Sequence, residues 1–262
     1  MDLGLSGRSV LVCASTGGLG EAVARAVAAE GAHVAVSGRR GDRAGELAAE
    51  LEAAGAGMAV GIEADLTADG GADALHAAAV DALGDIDVLV LNGPGPKPGT
   101  ADKVASEDVD QAVRTLVRPH VRLASLSLPS MRERRWGRVL AIGSSGVQSP
   151  LPNLALSNLG RAALAGYLKT LAAEVAADDV TVNMLLPGRI GTERVAALDE
   201  AQAERRGCSP EQVARESRAT IPAGRYGNPA EFGAAAAFLV SSPASYITGV
   251  ALRCDGGLVR SL

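Results

Sequence analysis

The glycine-rich run Gly17-Gly18-Leu19-Gly20 offers the first recognisable chemistry in this chain. Glycines make a turn tight and let a phosphate come close to the backbone. Glu21 to Glu30 follows with helical spacing and Ala-rich composition. The run therefore opens onto a helix N-terminus, whose unpaired N–H groups and positive dipole end suit an anion. Val10-Leu11-Val12 before it is a short apolar run of buried-strand type. Gly31 ends the helix and Val34-Ala35-Val36 restarts a strand. A strand–turn–helix–strand unit of this kind points to nucleotide binding. Arg39 and Arg40 come just after the second strand. A guanidinium can pair bidentately with phosphate, so these two are candidate anion contacts.

The elements that must hold these residues alternate along the chain. A second helix is expected over 41–54, a third strand over 59–62, a helix over 72–83 capped by Gly84, and a strongly apolar strand over 86–91. One or two helices fill 104–135, with breaks expected near Pro119 and Pro129. A strand at 138–142, a long helix over 154–177 and a strand at 180–185 follow, and the last helix and strand fall at 229–241 and 250–254. Strands alternating with helices imply an α/β fold with a parallel sheet covered on both faces, and 262 residues without a linker or repeat fit one domain. A net charge of -5 and a pI near 5.3 argue against a general nucleic-acid partner. No apolar run reaches membrane-spanning length, and the first residues lack the charge and apolar pattern of a secretion signal, so a cytoplasmic location is expected. Cys13, Cys208 and Cys254 are too few and scattered for a disulfide framework or a metal site. Cys13 fits a buried strand end as a small apolar residue.

This order of elements, with these turns, resembles the short-chain dehydrogenase/reductase family, especially its 3-oxoacyl-carrier-protein-reductase-like members. The resemblance covers nearly the whole chain and implies a Rossmann-type doubly wound sheet. The glycine run is similar to the family's TGxxxGxG, with Cys13-Ala14 in place of Thr-Gly. It puts Ser15, Thr16, Gly18, Leu19 and Gly20 among the cofactor-binding residues. Asp65-Leu66 matches the acidic position that contacts adenine, and Asn92-Gly93 falls at the family's Asn-Asn-Ala-Gly turn, although Leu91 replaces the first Asn. Pro187, Gly188, Ile190 and Thr192 match the turn that holds the nicotinamide amide. Tyr246 to Gly249 and Asp255-Gly256-Gly257 match the C-terminal signature.

In such folds an acid after the second strand accepts the ribose hydroxyls of NAD, and an Arg accommodates the 2′-phosphate of NADP. Ser37-Gly38-Arg39-Arg40 has no acid, which favours NADP(H) over NAD(H), although Gly17 stands where NADP-preferring relatives often place a basic residue. The family's chemistry uses an Asn, a Ser, a Tyr and a Lys four residues after the Tyr. Ser144 fits the Ser that hydrogen-bonds the substrate carbonyl. The Tyr position holds Ser157, the Lys position Arg161, and the Asn position Leu116. A Ser hydroxyl is a far weaker acid than a tuned Tyr, and an Arg does not titrate as a Lys does. Arg161 can still reach ribose hydroxyls and keep positive charge near the nicotinamide. A water beside Ser144 and Ser157 is the preferred proton source. Tyr167, Tyr226 and Tyr246 fall at packing or turn positions, and His120 lies one helical turn after Leu116.

Residues 191–220 form a longer lid than in compact relatives, with Val195, Ala196 and Leu198 expected to face inward. The basic cluster Arg132 to Arg138 suits a helix C-terminus, and relatives dock an acidic carrier protein near it; Asp178-Asp179 in the neighbouring turn runs against such docking. The substrate is thus a small-molecule or carrier-bound carbonyl compound. The last strand and the tail Leu258 to Leu262 suit subunit contacts in a homo-oligomer, a tetramer or dimer. Two other readings stay open: an isomerase or lyase on the same fold, and a nucleotide-binding scaffold subunit paired with an active relative.

Overall fold

Seven apolar runs pair side by side, all in the same direction. They are β1 (Ser9–Val12), β2 (His33–Gly38), β3 (Met58–Glu63), β4 (Val88–Leu91), β5 (Gly137–Ile142), β6 (Val180–Pro187) and β7 (Ala251–Cys254). In this computed structural model, which describes residues 1–261, the sheet order is β3-β2-β1-β4-β5-β6-β7. Leu262, the end of the tail expected to make subunit contacts, lies outside the described residues.

Strand side chains alternate between two cores, as the pleat demands. Leu11, Leu89, Val139 and Val182 face one core, built with α3 (Gly71–Leu83), α5 (Arg118–Glu133) and α6 (Ala155–Val175). Val10, Val88, Leu140 and Leu185 face the other, built with α1 (Gly18–Ala28), α2 (Gly41–Ala53) and α9 (Pro229–Leu239). Of the remaining helices, α4 (Ser106–Leu116) packs on α6, and α7 (Glu193–Arg206) and α8 (Pro210–Ala219) pack on each other. Fully buried Leu and Val side chains contribute about 1.5–3 kcal/mol each, so this double-sided burial carries most of the fold's stability.

Two details differ from the expectations. The helix after the glycine run starts inside it, at Gly18, and so the glycines form its first turn. The chain breaks at Val117, before Pro119, but continues as helix through Pro129. A proline inside a helix costs about 3 kcal/mol. Here its ring is exposed, while Leu123, Ala124, Leu128 and Met131 of α5 are buried against the sheet and offset that cost. Cys13 is fully buried at the end of β1, as expected, and burial pushes its thiol up to about 12.

Candidate active site

The strand order reverses between β1 and β4: the chain builds outward through β2 and β3, then returns to lay β4 beside β1. The loops leaving these two strands diverge and leave a crevice, the place where open α/β sheets bind ligands. A cavity of about 590 Å3 opens there, lined among others by Gly17, Gly18, Leu19, Asn92, Gly93, Ser144, Ser157, Arg161 and Thr192. A second cleft of about 890 Å3 adjoins it, sharing Gly17, Gly18, Arg40, Thr192 and Glu193, and adds Thr16.

The glycine run is shaped by close approach. A β-carbon at Gly20 would sit 2.8 Å from the Ala14 carbonyl oxygen and 2.9 Å from Asn92 Nδ2, which itself donates to the Ala14 carbonyl at 2.9 Å. Gly18 has φ +59°, in the left-handed region. No side chain caps α1, so its first N–H groups remain available where Gly17, Gly18 and Leu19 meet the cavity. Of the two arginines after β2, it is Arg40 that serves this turn. Its Nη2 donates to the Thr16 carbonyl at 2.9 Å, and it lines both cavities. Arg39 is exposed and lines neither cavity; its charge acts on Asp65 instead.

Ser15, expected among the cofactor-binding residues, has its hydroxyl engaged within the fold. Its Oγ donates to the Val12 carbonyl at 2.7 Å and accepts from the Ser37 N–H at 3.0 Å. The fully buried side chain stitches β1 to β2 and faces no cavity. Leu66 is packed in the core, which leaves only its backbone to offer. Asp65 takes the Thr67 hydroxyl and N–H on Oδ1, at 2.7 and 2.8 Å. Those two bonds hold its carboxyl below the usual range.

At the other end of the cavity, Ser144 follows β5 and its Oγ accepts the Gly146 N–H at 3.1 Å. Ser157 and Arg161 lie one helical turn apart on α6 and face the same space. Ser157 is 7% exposed. Arg161 Nη1 donates to the Ile142 carbonyl at 2.8 Å. Burial, followed by the charge of Arg194, pushes the Arg161 guanidinium down to about 10, which leaves it cationic at neutral pH. Leu116 is buried against Gly160 of α6, where a β-carbon would meet its Cδ1 at 2.6 Å. His120 Nδ1 donates to the Leu116 carbonyl at 2.8 Å, while its Nε2 is buried without a partner among the described residues. Burial pushes this imidazole down, so it stays neutral, and it does not line the cavity.

Pro187, Gly188, Ile190 and Thr192 all line the cavity, as expected from their turn. The lid consists of α7 and α8. Val195 and Leu198 face the cavity, but Ala196 is exposed, because the helix turns it to the outer face. Three charged lid contacts were not foreseen. Asp199 of α7, 4% exposed, accepts from Arg189 Nη1 at 3.1 Å and from the Tyr226 hydroxyl at 2.7 Å. Arg189 lines the cavity beside it. Arg194 also lines the cavity and packs on the loop after β4, where a β-carbon at Gly95 would overlap its guanidinium. Alternating charge along 193–206 gave no signal that one acid would be buried and one base turned inward.

Tyr226 thus anchors the lid from outside it, Tyr167 of α6 packs against the core, and Tyr246 is fully exposed. The basic cluster is neutralised locally. Arg132 pairs with Asp178 at 2.6 Å, Arg134 with Asp85 at 2.6 Å and Asp87 at 3.2 Å, and Arg135 with Asp179 at 2.8 Å.

The family model described as enoyl-(acyl carrier protein) reductase matches residues 13–259. The chain is 33% identical over 261 residues to dehydrogenase/reductase SDR family member 4 of Sus scrofa, covering 98% of this chain and 89% of that one. It is 31% identical over 258 residues to a 3-oxoacyl-(acyl-carrier-protein) reductase of Vibrio cholerae, covering 98% and 99%. Among solved structures, L-sorbose reductase from Gluconobacter frateurii, complexed with NADPH and L-sorbose, superposes with a TM-score of 0.94 at 31% identity over 100% of both chains. With the glycine turn at the strand reversal and a seven-stranded parallel sheet between two helical layers, the chain belongs to the short-chain dehydrogenase/reductase family of oxidoreductases, as a 3-oxoacyl-carrier-protein-reductase-like member.

Proposed function

We propose that the protein is an NADP(H)-dependent oxidoreductase of the ketoreductase or alcohol dehydrogenase type, acting with Ser157 and Arg161 where relatives carry Tyr and Lys. The observation that carries this reading is one cavity that joins the uncapped, glycine-lined start of α1 to Ser144, Ser157 and Thr192. A dinucleotide fits this arrangement: its phosphates need backbone N–H groups and close approach, which Gly17 and Gly18 offer at the cavity wall, while Gly20 lets the turn close against Ala14 and Asn92. Arg40, held over the turn by the Thr16 carbonyl, supports a preference for the 2′-phosphate of NADP. The reductase of known structure whose fold this chain shares is itself complexed with NADPH.

Bound nicotinamide supplies or takes up the hydride. The chain's own groups do the rest. Asn92, Gly93, Pro187, Ile190 and Thr192 form the pocket for the ring end. Ser144 Oγ, oriented by the Gly146 N–H, donates to the substrate oxygen. In the reducing direction the substrate oxygen would take its proton from a water held by Ser144 and Ser157, and the hydroxide left behind would be reprotonated from solvent when the lid opens. Arg161 keeps positive charge beside the oxygen as negative charge develops there, a stabilisation that requires no titration. Val195 and Leu198 of the lid exclude bulk water from above.

Fluorescence titration with NADPH and NADH tests the cofactor, and transfer of deuterium from labelled NADPH to a ketone tests the reaction. Tighter NADPH binding, reduced by Arg40→Ala, is the expected result. Absence of binding to either dinucleotide overturns the reading. Ser144→Ala is expected to abolish turnover, and unchanged turnover overturns the proposed geometry.

A further inference from the structure

Four arginines line the cavity, Arg40, Arg161, Arg189 and Arg194, against one acid, Glu193. Arg161 reaches the substrate end of the cavity from α6, and Arg194 from the first turn of α7. Arg189 also lines the space but is matched by the buried Asp199. Among the described residues, neither Arg161 nor Arg194 forms an ion pair with a carboxylate. The two guanidinium groups act on one another with like charge, and the Ile142 carbonyl takes only one donor of Arg161. A guanidinium has five donors in a planar fork suited to a carboxylate. The walls nearby are aliphatic, from Leu151, Leu154, Val195 and Leu198.

We propose that the substrate is an oxo acid, whose carbonyl meets Ser144 and Ser157 while its carboxylate is bound by Arg161 and Arg194. This rests on the oxidoreductase reading and adds the substrate's chemical class. An anion between the two arginines turns their mutual repulsion into two attractions, each with charge-assisted hydrogen bonds. It also spans α6 and α7, so substrate binding holds the lid down over the site. The carboxylate itself is unchanged by the reaction. The ketone carbon takes the hydride from the reduced nicotinamide, the oxygen takes a proton, and a hydroxy acid and the oxidised dinucleotide leave.

The shared chemistry is an anion, and the diphosphate of the dinucleotide is its other source. The two are separated with a non-turnover complex of the full chain. Isothermal titration first measures NADP+ binding to wild type, Arg194→Leu, Arg194→Lys and Arg161→Leu. Each, saturated with NADP+, is then titrated with 2-oxo and 3-oxo acids of four to six carbons and with their methyl esters. The expected result is that one acid binds wild type about 10–100-fold more tightly than its ester, the range for a hydrogen bond to a charged group. Arg194→Leu brings that ratio to within about threefold of unity by the same reasoning, Arg194→Lys recovers part of it, and NADP+ affinity is unchanged in both Arg194 variants. Arg194 is exposed on the lid, so these variants keep the core intact. Equal binding of every acid and ester by wild type overturns the proposal. So does an Arg194→Leu variant that loses NADP+ affinity but keeps the acid preference, which assigns Arg194 to the diphosphate. Failure of NADP+ to bind wild type instead removes the underlying reading, and it shows before any acid is added.

Discussion

Arginines crowd two places on this molecule, and their surroundings are opposite. At the amino ends of the strands, Arg132, Arg134 and Arg135 each meet an aspartate, and Arg8 and Arg138 lie on the face of Trp136 at 3.9 and 4.4 Å from the ring centre. At the carboxyl ends, Arg40, Arg161 and Arg194 line a cavity, and the partners found for the first two are backbone carbonyls. Arg132, Arg134 and Arg135 are neutralised within the fold. Arg138, which has no carboxylate partner among the described residues, is buried under Trp136 with its donors on the Ser241, Gly137 and Asp179 carbonyls. The second group leaves positive charge facing an open space, which is unfavourable for the isolated protein and useful only when an anion arrives. The density of basic residues in the sequence therefore says little about where charged ligands bind; the absence of nearby acids in three dimensions says much more. The basic cluster at 132–138 contains a set of exposed ion pairs within the chain.

The contrast is open to direct attack. Arg161→Leu is expected to lower kcat/KM by about 100-fold or more, the range for losing a group that stabilises developing charge. Arg40→Ala is expected to raise the Kd for NADPH about 10–100-fold, the range for a charge-assisted hydrogen bond, and to leave NADH binding nearly unchanged. Asp199→Asn keeps the size of the side chain but removes the charge facing Arg189. A rise in KM by about tenfold at nearly constant kcat is expected, with a stability loss of about 1–2 kcal/mol in denaturant unfolding. Arg134→Leu, at the neutralised end, is expected to leave turnover within twofold and to cost only about 0–1 kcal/mol, as exposed ion pairs do. If Arg134→Leu reduces turnover as much as Arg161→Leu, the division between the two ends collapses.

The pH profile separates this site from one that uses a titrating acid. Burial holds His120 neutral, and Ser157 has no accessible ionisation. Arg161 keeps its charge until the pH rises toward about 10, because its guanidinium is lowered rather than raised by burial and Arg194. The expected kcat/KM is flat from pH 6 to about 9, below the ordinary range for a tyrosine or lysine, and declines above that as the cation is lost. A steep limb near pH 7 points instead to a group that titrates there, and contradicts the water-and-serine arrangement.

The scaffold was readable because its signals are local or periodic. Every strand of the sheet coincides with an apolar run, and Gly31 and Gly84 mark helix ends with positive φ. The cavity residues 187–192 were readable because one short turn carries them together. What escaped depended on distant neighbours. Arg39 and Arg40 are adjacent, and consecutive residues leaving a strand point to opposite sides; which one meets the glycine turn is set by the contact with Thr16. Ser15 falls among the cofactor-binding residues by the family's glycine pattern, and only the fold shows its hydroxyl buried between the Val12 carbonyl and the Ser37 N–H. Pro129 looked like a helix stop because propensity ignores the sheet behind α5. Asp199 and Arg194 lie on a helix whose charges alternate, and only the fold shows that one is buried against Arg189 and Tyr226 and the other crosses to Gly95.

The Asp199 anchor has a consequence for how this protein can diversify. Asp199 ties α7 to Arg189 and Tyr226 and Arg194 reaches the loop after β4, while the buried Ala203 and Val213 belong to neither core, so the exposed positions of α7 and α8 can accumulate substitutions without disturbing either core. Variation in Val195 and Leu198 alters the roof of the cavity, and variation in Arg194 alters its charge, while the dinucleotide half stays intact. Preference for one substrate over another is thereby evolvable within a single short segment. A laboratory library confined to 193–206, with the buried Asp199 and Ala203 held fixed, samples new specificities at little risk to folding.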